Sequence, residues 1–201
     1  MKKTALNVPN TLSLIRVILV PIFVATLIFM RDIPIWGLIV PALVYALTGL
    51  TDMLDGKIAR KYNLGTDFGK FIDPLADKFM VLASMIAIIL WMILRGDVTL
   101  ALVFVWVVLI ILLRELGVTS LRLVVAGKSG IVVAASMLGK IKTVSQMAGT
   151  VVLILEPLIP LVIFCEYHLL SYIFMALMAF TTIFSGLDYL KSYLPHIDTN
   201  K

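Results

Sequence analysis

The sequence predicts an all-α integral membrane protein, with six transmembrane helices and a polar, metal-containing chamber open to the cytoplasmic side. Of its 201 residues, 61% are hydrophobic, and the mean hydropathy is +1.08. An average soluble domain is only about 45–50% apolar, so a lipid environment is expected. Six apolar stretches are each close to the roughly 20 residues that cross a bilayer as a helix. Four aspartates at helical spacing interrupt the apolar pattern and predict the chamber.

The six stretches follow one another without a Gly/Ser-rich or Pro-rich linker, so one membrane domain, residues 1–201, is expected. The first stretch is too long for a cleavable signal and lacks a small-residue cleavage pattern after it, so we expect it to stay attached. The predicted helices are approximately Leu12–Phe29, Ile35–Leu50, Phe71–Leu94, Leu100–Leu121, Val144–Phe164 and Leu169–Leu190.

The distribution of basic residues predicts the orientation in the cell (inner or plasma) membrane. Of the 17 Lys and Arg residues, only Arg31 and Arg95 fall in the links after helices 1 and 3, and none falls in the link after helix 5. By the positive-inside rule, both termini and the acidic region then lie in the cytoplasm. The net charge of +5 follows from these basic margins, which anionic lipid attracts, and no nucleic-acid partner is expected.

Asp52, Asp55, Asp73 and Asp77 are the residues on which the functional interpretation depends. A carboxylate facing the bilayer centre costs roughly 2.5–3.5 kcal/mol, so these acids should face inward. Spacings of three and four residues place each pair on one face of a helix. Because oxygen ligands suit hard cations, we expect two divalent cations, Mg²⁺ or Mn²⁺, and chemistry at phosphorus.

The residues after the first acid pair leave room for a phosphate or nucleotide. Gly56 has no side chain, so such a group can approach the helix backbone there. Ala59, one turn later, keeps the same path open, and Arg60 offers planar donors for phosphate oxygens or for an aspartate. Residues 61–66 are the predicted link to helix 3, which Thr66 and Asp67 can cap.

The acidic segment resembles the signature of the CDP-alcohol phosphotransferases at every specified position. The matching pattern is Asp52-x-x-Asp55-Gly56-x-x-Ala59-Arg60, then eight residues, then Gly69-x-x-x-Asp73-x-x-x-Asp77. The resemblance implies a six-helix membrane enzyme that moves a phosphatidyl or related group from a CDP-linked donor to an alcohol and releases CMP. It also implies that the four aspartates bind two metal ions and that Asp77 is the catalytic base. The implied donor-binding positions are Gly56, Arg60 and Thr66, with Ala59 and Gly69 in the same motif.

Two residues at the start of helix 1 have two interpretations. Asn10 and Ser13 are three residues apart and could contact the nucleotide end of the donor. Asn-Thr before an apolar run is also a good helix cap, so both interpretations stay open. Ser13 stands where the family pattern has Thr, and it keeps the hydroxyl group.

Basic residues at the predicted ends of helices 4 and 5 point to a phosphorylated acceptor. Arg114 and Arg122 are eight residues apart on helix 4, and Lys140 and Lys142 open helix 5. Two cations at a helix start are unfavourable unless an anion is near, although the positive-inside rule also explains them. The two lysines are about 200° apart on a helix, so one should be the stronger ligand, and the family pattern favours Lys140.

Three segments resemble the phosphatidylglycerophosphate synthase branch of this family. They are Val8–Arg16, Arg114–Arg122 and Leu138–Gln146, with Leu116-Gly117 departing from the more aromatic or apolar pair expected after Glu115. The resemblance implies CDP-diacylglycerol as donor and sn-glycerol 3-phosphate as acceptor. The acceptor's phosphate would be held by Arg114, Arg122, Lys140 and Lys142.

Alternatives remain for the acceptor and for the function class. Serine, inositol phosphate or phosphatidylglycerol are other acceptors for the same chemistry. A divalent cation transporter is a different class, which four inward carboxylates permit. A homodimer is also open, because small residues such as Gly49 and Ala148 permit close helix contact.

Overall fold

A computed structural model describes residues 8–62, 67–129, 136–159 and 167–193, where all regular secondary structure is helical. This confirms the all-α prediction. One 3₁₀ turn, Glu156–Leu158, follows the fifth helix. In chain order the long helices are α1 (Val8–Phe29), α2 (Trp36–Tyr62), α3 (Asp67–Arg95), α4 (Val98–Ser129), α5 (Met137–Leu155) and α6 (Leu169–Tyr193).

The helices have the length and composition of membrane spans, so the protein is a multi-pass membrane protein. Five of them contain apolar segments of at least 20 residues, and α2 contributes a shorter apolar segment, Trp36–Thr51. The apolar part of α2 ends where the acidic motif begins. The five longer segments are Asn10–Phe29, Phe71–Arg95, Val98–Val125, Met137–Leu158 and Leu169–Tyr193.

The fifth helix begins earlier than its apolar stretch predicts. Hydropathy places its start near Val144, but α5 starts at Met137. Ser136 is the N-cap, and its Oγ accepts a hydrogen bond from the Gly139 N–H at 3.2 Å. A serine cap satisfies one of the free amides of a helix start, so the polar first turns become helical. The end of the predicted stretch, residues 160–164, lies outside the described residues.

The backbone forms two compact units, residues 1–101 with 157–160 and residues 102–156 with 161–201. In the first unit, α1 packs against both α2 and α3. The rings of Phe23 and Tyr45 meet at 5.3 Å between centroids, which joins α1 to α2. Because α1 also lies along α3, polar residues near its N-terminus are brought to the acidic end of α3.

In the second unit, α5 packs against α6 through polar as well as apolar contacts. Ser145 and Thr181 form a hydroxyl pair at 2.7 Å, and the Gln146 amide donates to Thr182 Oγ1 at 3.2 Å. Hydrogen bonds between membrane helices contribute about 0.6 kcal/mol on average. These two bonds therefore set the register of the helix pair with modest stabilisation.

A buried carboxylate caps the start of α6. Glu156, with 1% of its surface exposed, accepts hydrogen bonds from the Leu170 N–H at 2.8 Å and from the Ser171 N–H at 3.2 Å. The Ser171 hydroxyl donates to the same carboxylate, and His168 Nδ1 is 3.9 Å away. Amides in the first turn of a helix lack helical hydrogen-bond acceptors and carry partial positive charge. A carboxylate at this position accepts their hydrogen bonds and balances that charge.

Replacing this cap should destabilise the second unit. We expect Glu156→Ala to lower the free energy of unfolding by about 1–3 kcal/mol, because the amides of the partly buried Leu170 and the buried Ser171 lose their acceptor. Thermal unfolding in detergent measures the effect. Asp32→Ala is the control, since the Asp32 side chain is 81% exposed and lies 3.5 Å from Arg31. Equal unfolding temperatures for the two variants would contradict the capping role.

Candidate active site

The first half of the acidic motif lies on one continuous helix. α2 runs through Asp52, Asp55, Gly56, Ala59 and Arg60, so their helical spacing is as predicted. Their side chains are outside the described part of the structure, as is the whole of Thr66. The predicted link, residues 61–66, is shorter than expected, because α2 includes residues 61 and 62.

The second half of the motif lies on α3 and is joined to α1 by a hydrogen bond. Asp73 and Asp77 are one turn apart, and both side chains are half-buried. The Ser13 hydroxyl of α1 donates to Asp73 Oδ1. Gly69, one turn before Asp73, is buried in the first turn of α3. The structure therefore groups Ser13 with the acid pair on α3, which sequence spacing alone does not show.

α1 presents a buried polar row towards its own unit. Asn10, Ser13 and Arg16 follow one another at intervals of three residues, and each is at most 2% exposed. Asn10 lies in the first turn, after Val8, rather than at the cap position. Buried polar side chains are costly in a membrane and commonly mark functional sites. This placement favours the donor-side interpretation of Asn10 and Ser13 over helix capping.

The acid pair on α3 has the chemistry that a hard cation requires. Carboxylate and hydroxyl oxygens are the ligands of Mg²⁺ and Mn²⁺, and the two neighbouring carboxylates would otherwise repel each other. Within residues whose side chains are described, no group of three or more His, Cys, Asp and Glu residues is close enough to hold a metal. Asp52 and Asp55 are outside that set, so the four-acid chamber stays a prediction.

A second charged cluster lies within the other unit, on α4, α5 and α6. Glu115 Oε1 accepts a hydrogen bond from Arg114 Nη1 at 2.9 Å and forms an ion pair with Lys142. Arg114 Nη2 donates to Ser185 Oγ at 2.7 Å, which ties α4 to α6. Arg122, two turns after Arg114, donates to the Tyr189 hydroxyl at 3.0 Å. The Arg114 guanidinium also lies over the Tyr189 ring, so three predicted anion-binding residues belong to one network of polar and cation–π contacts.

The two lysines at the start of α5 differ sharply in environment. Lys142 is 5% exposed and paired, whereas Lys140 is exposed. This agrees with the roughly 200° that separates them on a helix. The family pattern favours Lys140 as the stronger ligand, which stays a prediction, whereas the structure places Lys142 inside the charged cluster.

Three members of this network were absent from the sequence-based site. Glu115 follows Arg114 directly in the sequence, but the sequence does not show that its carboxylate pairs with Lys142 of another helix. Ser185 and Tyr189 lie on α6, where hydroxyl and aromatic residues usually only pack. Only the packing of α6 against α4 and α5 identifies them.

Comparison with known proteins identifies the family of this chain. Residues 6–184 match the family of CDP-alcohol phosphatidyltransferases. The chain belongs to this family. Family membership makes it a transferase of phospholipid biosynthesis rather than a transporter, and enzymes of the CDP-alcohol phosphatidyltransferase family use divalent cations.

Curated relatives match this CDP-alcohol phosphatidyltransferase over nearly its whole length. It is 39% identical over 199 residues to the CDP-diacylglycerol–glycerol-3-phosphate 3-phosphatidyltransferase of Bacillus subtilis (strain 168), covering 91% of this chain and 93% of that protein. The Escherichia coli (strain K12) protein of the same name is 36% identical, covering 92% and 94%. A probable phosphatidylglycerophosphate synthase of Mycobacterium tuberculosis (strain ATCC 25618 / H37Rv) is 34% identical, covering 95% and 83%.

Removing the Ser13 hydroxyl should weaken metal activation. Groups that orient a metal-binding carboxylate are typically worth about 10–100-fold in metal affinity. We expect Ser13→Ala to raise the half-activating concentration of Mg²⁺ or Mn²⁺ about tenfold, while Ser13→Thr stays near the parent value. The measurement is transferase activity titrated with each metal.

Ser84→Ala is the matched control for this titration. Ser84 is also buried in the first unit, but its hydroxyl donates only to backbone carbonyls of α3, those of Met80 and Val81. An identical metal dependence for the Ser13→Ala and Ser84→Ala variants would show that the Ser13 hydroxyl does not orient a metal ligand.

Proposed function

We propose that this enzyme transfers the phosphatidyl group of CDP-diacylglycerol to sn-glycerol 3-phosphate, giving phosphatidylglycerophosphate and CMP. The relatives from Bacillus subtilis and Escherichia coli carry the name of this reaction and match over nine-tenths of the chain. The observation that carries the choice of acceptor is the buried Lys142, paired through Glu115 with Arg114. Burying two cations beside one carboxylate leaves a net positive site suited to a phosphate.

On the donor side, Asp52, Asp55, Asp73 and Asp77 would hold two divalent cations, Mg²⁺ or Mn²⁺. When bound, such cations supply charge neutralisation at the donor's diphosphate. Support comes from the half-buried acid pair on α3 and from the Ser13 hydroxyl on Asp73. The residues proposed to bind the CDP-diacylglycerol donor are Asn10, Ser13, Gly56, Ala59, Arg60, Thr66 and Gly69.

Asp77 is proposed as the general base. An alcohol is a weak nucleophile near neutral pH, and a carboxylate within hydrogen-bond reach can accept its proton as the new bond forms. The acceptor oxygen then bonds to the phosphatidyl phosphorus, the bond from that phosphorus to the CMP oxygen breaks, and CMP leaves. Arg114, Arg122 and Lys142 would hold the acceptor's phosphate during this step, with Lys140 in an outer position.

The proposed orientation places both termini and the active site in the cytoplasm of a cell membrane. It is supported by the basic residues concentrated at one set of helix ends, as the positive-inside rule requires. The homodimer predicted from the sequence is part of the same proposal.

A panel of acceptors tests the proposed reaction. Purified protein in detergent receives Mg²⁺ or Mn²⁺ and CDP-diacylglycerol, then glycerol 3-phosphate, serine, inositol phosphate or phosphatidylglycerol separately. We expect CMP release only with glycerol 3-phosphate, because the cluster around Lys142 supplies cations for a small phosphorylated acceptor. Release with serine alone would refute the proposed acceptor, and metal flux into sealed vesicles without CMP release would refute the enzyme.

Asp77→Asn provides the inactive reference for this panel. General base catalysis contributes about 10²–10⁴-fold, so turnover should fall by that factor while donor binding persists. Asp188→Asn, a half-buried acid of α6 outside both clusters, should behave like the parent. Near-normal turnover of Asp77→Asn would remove Asp77 from the base role.

The two lysines of α5 allow a matched test of the acceptor site. Lys142→Gln removes a buried cation, whereas Lys140→Gln removes an exposed one two residues away. A hydrogen bond to a charged group contributes about 1.5–3 kcal/mol, so the KM for glycerol 3-phosphate should rise about 10–100-fold for Lys142→Gln only. Initial rates at fixed CDP-diacylglycerol measure it, and a larger rise for Lys140→Gln would reverse the assignment.

A further inference from the structure

Tyr189 occupies the centre of the charged cluster, although its side chain is uncharged. It lies on α6 and is 4% exposed. Its hydroxyl accepts a hydrogen bond from Arg122 Nη2 at 3.0 Å and another from the Ser136 backbone N–H at 3.3 Å. One phenolic oxygen from α6 therefore joins an arginine of α4 to the N-cap residue of α5.

The aromatic ring of Tyr189 makes a second set of contacts with the same cations. The guanidinium carbons of Arg114 and Arg122 each lie 5.2 Å from the ring centroid. A guanidinium within about 6 Å of an aromatic centroid is attracted by the ring's negative face, by about 0.5–1 kcal/mol when exposed and more when desolvated. The ring thus holds both arginines, which are eight residues apart on α4.

The ring itself is fixed by packing. Val118, halfway between the two arginines on α4, belongs with Val125, Tyr189 and Tyr193 to one buried hydrophobic cluster. Tyr193 stacks on Tyr189 with centroids 6.2 Å apart and an interplanar angle of 16°. A side chain locked by packing positions its polar partners more precisely than a mobile one.

Glycine at position 139 keeps the hydroxyl of Tyr189 close to the start of α5. A Cβ atom at Gly139 would lie 3.3 Å from the Tyr189 hydroxyl oxygen, which is tighter than ordinary van der Waals contact. Lys140 and Lys142 follow directly in the same helix. The position of α5 relative to the arginines thus depends on Tyr189.

We propose that Tyr189 is a positioning residue for the acceptor's phosphate: it holds Arg114 and Arg122 at a set spacing and fixes the first turn of α5 beside them. Long, flexible arginine side chains lose about 2 kcal/mol of rotamer entropy when ordered. Because Tyr189 already orders both arginine side chains, less rotamer entropy is lost when the acceptor binds. The role rests on the proposed function, since it requires that the acceptor carries a phosphate group.

Tyr189→Phe isolates the hydroxyl, because the ring and its packing remain. Arg122 and the Ser136 amide both lose their acceptor, so we expect the KM for glycerol 3-phosphate to rise about tenfold. The KM for CDP-diacylglycerol and the kcat should change less than about twofold. Inhibition by inorganic phosphate, competitive with the acceptor, should weaken by the same factor as the acceptor KM rises.

Tyr189→Leu and Tyr193→Phe complete the series. Tyr189→Leu also removes the ring, so the acceptor KM should rise further than in Tyr189→Phe. Tyr193→Phe removes a hydroxyl from a ring that is equally buried and leaves the stacking in place, so its kinetics should match the parent. Unfolding temperatures in detergent are recorded for all three variants.

The outcomes separate positioning from a purely structural role. A selective rise in the acceptor KM, paralleled by weaker phosphate inhibition, supports the proposal. Unchanged kinetics in Tyr189→Phe, or a uniform loss of activity towards both substrates with a lower unfolding temperature, overturns it. So does a raised acceptor KM with unchanged phosphate inhibition, because Tyr189 would then act on the glycerol end.

Failure of the proposed reaction is distinguishable from failure of this proposal. If the parent protein releases no CMP with glycerol 3-phosphate, the reaction is wrong. Calorimetric titration of the parent and Tyr189→Phe proteins with inorganic phosphate then tests the anion site without turnover. Weaker phosphate binding by Tyr189→Phe supports positioning, and equal binding overturns it.

Discussion

The structure depends on one constraint: a charge removed from water inside a membrane protein needs a partner of opposite charge or a set of hydrogen bonds. Three buried or half-buried carboxylates meet this requirement in different ways. Glu115 is paired with Arg114 and Lys142, Glu156 accepts backbone amides of α6, and Asp73 accepts the Ser13 hydroxyl. Each solution brings together residues that are distant along the chain or lie on different helices, so satisfying the charges also fixes helix register.

The two clusters divide the chemistry by charge. Within the first unit, α1 and α3 gather carboxylate, hydroxyl and amide groups, which suit cations and a nucleotide. Within the second unit, α4, α5 and α6 gather guanidinium and ammonium groups around one carboxylate, which suit an anion. Glu115 lowers the positive charge of that site, but it also holds Arg114 and Lys142 in place before any ligand arrives. Preorganised donors cost less to use than mobile ones.

The helical placement of the acidic motif was predictable because its determinants are local. The spacings of Asp52, Asp55, Asp73 and Asp77 place each pair on one helical face, and α2 and α3 are helical through these positions. The start of α5 was not predictable from hydropathy, because the first turns of the helix are polar and the cap at Ser136 stabilises them as helix. The burial of Lys142 was not predictable for a related reason, since periodicity separates Lys140 from Lys142 without showing which side faces the protein.

Composition and periodicity by themselves determined that the chain is an all-α membrane protein and that its acids form helical pairs. These features follow from hydrophobic transfer and from 3.6 residues per turn, which act locally along the chain. Only the tertiary structure decided that Ser13 serves Asp73, that Lys142 turns inward to Glu115, and that Tyr189 lies between two arginines. Those partners are separated by 27 to 75 residues in the sequence, so only helix packing determines them.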